Sequence, residues 1–153
     1  NLQFKYTIAD RDYIAGNVVV KKGEPVLEVH IPRTGNRLNR DESLSSYKAG
    51  AEFFMRHFGI KRVVYVCSSW LLYPKNLGIL KENSNIAKFI SDFTIVDASE
   101  YPDYGQVWRL FDTDYTGNAD ALPADTSFRR GYVDWIKRGE KTGYGVGFFV
   151  FGE

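Results

Sequence analysis

The chain has 153 residues, 44% hydrophobic and 16% aromatic, the usual size of one domain with a substantial core. Its 20 basic and 19 acidic residues nearly cancel, to a net charge of +1, which leaves no electrostatic footprint for nucleic acid. No apolar run approaches the ~18 residues of a membrane span, and the single cysteine, Cys67, excludes an internal disulfide and a cysteine-based zinc site; a cytoplasmic location is the default expectation.

Residues 2–9 alternate Leu2, Phe4, Tyr6 and Ile8 with polar neighbours, which predicts a half-buried strand. Residues 10–12 read as a turn, Val18-Val19-Val20 as a short strand, and Gly23 with Pro25 as a second turn. Over 26–32, Leu27, Val29 and Ile31 alternate with Val26, Glu28 and His30, again a strand pattern. The first thirty residues thus read as an antiparallel meander.

A polar loop over 33–38 leads to Asn39, an N-cap candidate with Glu42 three residues on as its capping-box partner. Leu44, Tyr47, Ala51, Phe54 and Phe58 recur at helical spacing, so a helix runs to about His57 and Gly59 ends it. Residues 63–67 have almost no polar break, the mark of a strand buried on both faces. A strand, a helix and a strand in this order predict a parallel pair joined by a crossover helix.

After Pro74, residues 77–80 suit a short helix and Ser84 can cap another through Ile90. Residues 93–98 read as a strand, 101–105 as a turn, and 106–111 as the hairpin partner. Residues 112–123 read as an exposed loop. Asp125 or Thr126 caps a last helix, with a stripe of Phe128, Tyr132, Trp135 and Ile136, and Gly139 ends it. Residues 143–151 form a final strand with glycines at alternate positions, read as sites of close packing or a bulge. The fold class is α/β (α+β), a mixed, largely antiparallel sheet flanked by helices with one parallel strand–helix–strand unit.

Several stretches also carry a family likeness: Leu2-Gln3-Phe4, His30-Ile31-Pro32, Phe53-Phe54-x-x-His57-Phe58, Cys67-x-Ser69-Trp70-Leu71-Leu72 and Ser84-Asn85-Ile86. In this order they resemble the C-terminal domain of bacterial GNAT-like acyltransferase proteins, over nearly the whole chain. The resemblance implies that residues 1–153 form one GNAT-like domain of a longer protein. A helical domain precedes it in that family. The implied activity is transfer of an acyl group from acetyl-CoA or another acyl-CoA to a small-molecule or peptide amine. The helix from 126 and the last strand go beyond the simplest GNAT plan.

In that family the donor lies beside the first parallel strand, which places the pantetheine along Val29 and Ile31. The pyrophosphate would face Arg33, Thr34, Gly35, Asn36 and Arg37, because free N–H groups at a helix N-terminus suit an anion. The GNAT loop usually reads Arg or Gln, two residues, Gly, one residue, then Gly or Ala. Here Gly35 comes one position early and no second small residue follows. Asn39 and Glu42 already occupy the cap, so an ordinary polar turn is the alternative reading of 33–37.

Glu28 and His30 share a strand face about 7 Å apart, and the acyl transfer needs a base for the attacking ammonium. Glu28 is the expected base and His30 its partner; a partly solvated strand face is the alternative. A lone Cys67 without an identified activator is more often a small buried hydrophobe than a nucleophile. With two distant histidines and no carboxylate cluster, no metal site is supported. The Tyr that GNAT enzymes use as general acid is missing from 75–91, and Tyr73 stands where the resembling family more often has Asp. A GNAT-like binding or structural domain without catalysis is therefore the second functional reading.

Overall fold

The computed structural model describes residues 1–33 and 37–152. The alternating segments at either end of the first thirty residues form β1 (Gln3–Ile8) and β4 (Pro25–His30). They pair antiparallel along their whole length, from Gln3↔His30 to Ile8↔Pro25. The intervening residues correct the expected meander. β2 (Tyr13–Ala15) and β3 (Val18–Val20) pair with each other in a separate two-stranded sheet. Their inward residues Tyr13 and Val20 are buried against Val26, Val66 and Phe148. The hairpin is too short to extend the large sheet, and its apolar residues cover the sheet's face instead.

Helix α1 spans Arg40–Phe58. The Asn39 side chain accepts from the Glu42 N–H at 3.2 Å, and Gly59, at φ 64°, closes the far end. β5 (Val64–Ser69) follows and runs parallel to β4. The crossover unit is thus as expected. α1 packs Tyr47 and Ala51 onto Leu27, Val29 and Tyr65, the main core.

Beyond β5 the chain makes two 3-10 turns, at Trp70–Leu72 and Pro74–Gly78, the second in place of the expected helix over 77–80. Ser84 caps α2 (Asn85–Ser91) by accepting from the Ala87 N–H at 3.1 Å. A bond from Arg40 to Asp92 at 2.6 Å ties the start of α1 to the end of α2. β6 (Thr94–Glu100) comes next.

The hairpin partner of β6 is not 106–111. That segment contains a short helix, α3 (Trp108–Phe111). Val107, Leu110 and Phe111 have helical spacing, and Val107 and Phe111 are buried in a second core against Phe128 and Tyr132. The true partner is β7 (Gly143–Val150), which lies antiparallel between β5 and β6 and completes the order β1-β4-β5-β7-β6. Thr126 caps α4 (Ser127–Lys137), whose stripe of Phe128, Tyr132, Trp135 and Ile136 is buried as the spacing predicts. No helix of the described residues is long and apolar enough to cross a membrane.

The glycines of β7 answer to close approach. A Cβ on Gly145 would stand 2.1 Å from the Leu72 carbonyl oxygen, and one on Gly143 would stand 2.3 Å from that of Ser99. Both obstacles are backbone and cannot rotate away. Gly145→Ala is therefore expected to cost about 2 kcal/mol or more, a fall in Tm of roughly 4–8 °C. Gly78→Ala, with open space around it, should stay close to the parent in the same calorimetric scan.

Candidate active site

The parallel ladder between β4 and β5 lasts for two residue pairs, Leu27↔Tyr65 and Glu28↔Val66. Each strand is held on its other side by a longer antiparallel ladder, β4 by β1 and β5 by β7. Past Glu28 and Val66 the two strands separate, and a cleft of about 470 Å³ opens between them. Val29 to Arg33 form one wall and Cys67 to Leu71 the other, with Tyr101, Arg109 and Tyr144 completing it.

At the apex the Cys67 thiol donates to the Val29 carbonyl at 3.6 Å. Cys67 is 2% exposed. Burial, with the nearby charge of Glu28 adding to it, pushes its thiol up to about 12. Such a thiol is neutral near pH 7 and is a poor nucleophile. It closes the base of the splay.

Glu28 and His30 project from the same face of β4, and His30 Nε2 lies 3.5 Å from Glu28 Oε1. Both are partly exposed. They open onto different compartments. His30 lines the cleft, whereas Glu28 lines an adjoining pocket of about 220 Å³ with Asp10, Arg11 and Tyr13. Cys67 and Ser68 border both. The strand face thus presents an imidazole to the cleft with a carboxylate behind it.

Val29 and Ile31 line the cleft. The two arginines of the expected basic loop border different pockets. Arg33 sits at the cleft, where it pairs with Asp112 and stacks on Trp108, its guanidinium carbon 4.7 Å from the ring centre. Arg37 borders a separate small pocket with Leu38, Asn39 and Glu42. Thr34, Gly35 and Asn36 lie outside the described residues. The first turn of α1 carries Asp41 and Glu42, and its Glu42 N–H is already taken by Asn39.

Sequence reasoning missed Tyr101, Arg109 and Tyr144 as cleft residues. Tyr101 directly follows β6 and Tyr144 lies at the start of β7, and their ring centres are 5.6 Å apart. Burial raises the Tyr101 hydroxyl's pKa, partly countered by Arg109. It also missed Asn76, which is fully buried. Its amide donates to the carbonyls of Trp70 and Leu71 at 2.9 and 3.0 Å, and its oxygen accepts from the Tyr132 hydroxyl at 2.5 Å. This hub fixes the turn that carries Trp70 into the cleft and fastens it to α4. No group of three or more metal-ligating side chains occurs among the described residues.

Residues 1–149 match the family model of the GNAT-like C-terminal domain. The chain belongs to this family. It also matches solved structures described as an acyltransferase in complex with decanoyl-CoA (24% identity, TM-score 0.76) and in complex with decanoyl-CoA and teicoplanin (26%, 0.75). A third is an acyltransferase mutant, W163A, in complex with octanoyl-CoA (26%, 0.74). The match covers 97%, 97% and 96% of this chain and 43%, 44% and 44% of those chains. The GNAT-like domain thus spans less than half the length of the structures it matches. No curated protein sequence matches the chain significantly.

Two measurements check this site. Cys67 should resist a thiol reagent at pH 8 in the folded protein and react fully in denaturant; fast labelling of the native state would contradict its burial. Asn76→Ala leaves two carbonyls and the Tyr132 hydroxyl without their partner. It should destabilise the protein by about 2–3 kcal/mol, measured by denaturant unfolding.

Proposed function

We propose that this domain binds acyl-CoA and transfers its acyl group to an amine. The observation that carries the reading is the splayed β4–β5 cleft with the His30–Glu28 pair at its wall, in a family whose solved neighbours hold acyl-CoA. The β4 backbone over 29–31, released from pairing with β5, faces an extended pantetheine. The acceptor is a small-molecule or peptide amine. A preceding domain and a cytoplasmic location belong to the same proposal.

The amine nitrogen attacks the thioester carbonyl carbon, forming a C–N bond. His30 takes the proton lost from the nitrogen, with Glu28 orienting the imidazole and stabilising its charged form. The C–S bond then breaks, and the CoA thiolate takes a proton from Tyr101 or Tyr144, the two phenols of the cleft. These roles exchange those expected from the sequence, because His30 borders the cleft and Glu28 stands behind it.

One observation favours the second reading, a non-catalytic domain: α2, like the rest of 75–91, carries no Tyr for the usual general acid. Activity distinguishes the two. His30→Gln should lower kcat about 10²–10⁴-fold, the range of general acid–base catalysis, and Glu28→Gln should cost less. A full loss in Glu28→Gln with His30→Gln unaffected would make Glu28 the base. A thermal-shift titration tests the donor: acyl-CoA at ~100 times its Kd should stabilise the protein by about 2.7 kcal/mol. No shift at millimolar acyl-CoA would reject the transferase reading.

A further inference from the structure

The cleft holds a positively charged feature that joins Arg33, from the loop where a phosphate site was expected, to an arginine outside that loop. Trp108 carries two guanidinium groups. The carbon of Arg33 is 4.7 Å from its ring centre and that of Arg109 is 4.8 Å. Both arginines line the cleft. Neither guanidinium carbon can be farther from the other than the sum of those two distances.

Their states differ. Arg33 is paired with Asp112, which also accepts from Arg129 at 3.3 Å. Arg129 in turn meets Asp125 at 3.0 Å. Two carboxylates therefore serve Arg33 and Arg129. Arg109 has no carboxylate partner among the described residues. Its Nε donates to the Gln106 side chain at 3.0 Å. That bond and the indole fix the guanidinium plane and leave both terminal nitrogens for a ligand. A planar fork held in place loses little freedom on binding an oxyanion and can meet it with two hydrogen bonds. The competing location, the first turn of α1, presents Asp41 and Glu42, which repel phosphate.

We propose that Arg109, stacked on Trp108 beside Arg33, is the phosphate-binding residue of the cleft and takes either the diphosphate or the 3′-phosphate of CoA. The proposal rests on the reading that the donor is a CoA thioester. Asp112 pairs with Arg33, and Arg109 supplies a charge with no carboxylate partner among the described residues.

Calorimetry on the full chain tests it with four probes: CoA, dephospho-CoA, an S-acyl-pantetheine without phosphates, and inorganic pyrophosphate. Arg109→Gln should weaken CoA at least about tenfold, as expected for a lost charge-assisted contact, and leave acyl-pantetheine binding unchanged. Arg138→Gln, at a residue that does not line the cleft, makes the same change in net charge and should have little effect. If the loss persists with dephospho-CoA, Arg109 holds the diphosphate; if it vanishes, Arg109 holds the 3′-phosphate. The proposal is overturned if Arg109→Gln binds CoA like the parent, if Arg138→Gln loses as much, or if acyl-pantetheine weakens in parallel. Should the parent bind neither CoA nor acyl-pantetheine, the transferase reading fails. Pyrophosphate then decides the residue's role: binding that depends on Arg109 keeps the phosphate site, and its absence removes it.

Discussion

The short parallel register between β4 and β5 is the constraint on which the rest depends. Two residue pairs join the β1–β4 half of the sheet to the β5–β7–β6 half. Each half is secured by its own antiparallel ladder of six or more pairs, so neither strand is free to bend toward the other. The opening is therefore a property of the whole sheet and not of one loop. Below it, Tyr47 of α1 and Phe89 of α2, with Phe93 just beyond α2, seal the base. The Cys67 thiol on the Val29 carbonyl marks the point where ladder gives way to cleft.

That geometry also divides the chemistry of the β4 face. The strand period of two puts Leu27 and Val29 into the core and Glu28 and His30 on the opposite face. The β2–β3 hairpin covers only the lower part of that face, over Val26 and Val66. Glu28 falls at the edge of the cover and His30 beyond it. A carboxylate behind an imidazole is thus the outcome of where a hairpin of two three-residue strands stops. Cys67 points to the sealed side and is buried in the main core.

Elements whose signals are local were legible in the sequence. The alternation at 26–31, the cap at Asn39, the stripe and stop of α1, and the Thr126 cap with its stripe were read with nearly the right bounds. Pairing over long sequence distances was not. Nothing in 106–111 announces that β6 skips it and pairs with β7, since QVWRLF suits either a strand or a helical turn until its contacts with α4 decide. Of the β2–β3 hairpin, Val18–Val20 was read as a strand, but β2 and the separate pairing were not, because three residues leave almost no periodicity to read and nothing local says which strand they join. At the site, Val29, Ile31, Glu28 and His30 come from one local pattern, whereas Tyr101, Arg109 and Tyr144 are brought to the cleft by the far edge of the sheet and the excursion after β6.

The departures from the usual loop pattern and the excursion after β6 belong together. A tight glycine-rich loop would bring a ligand's phosphates onto the N–H groups of α1. Here Asn39 takes one of those groups, and Asp41 and Glu42 oppose a second anion. The segment from Tyr101 to Thr126 instead brings Trp108, Arg109 and Asp112 against Arg33 across the mouth of the cleft. Asp112 holds a left-handed backbone conformation, φ 56°, at the end of α3, uncommon outside glycine and tolerated best by Asp and Asn. That conformation ends α3 after four residues at the point where the Asp112 carboxylate reaches both Arg33 and Arg129. The positive wall of the cleft thereby joins Arg33 to Arg109 on a tertiary excursion, which lets its charge be set independently of the helix cap that the fold needs for stability.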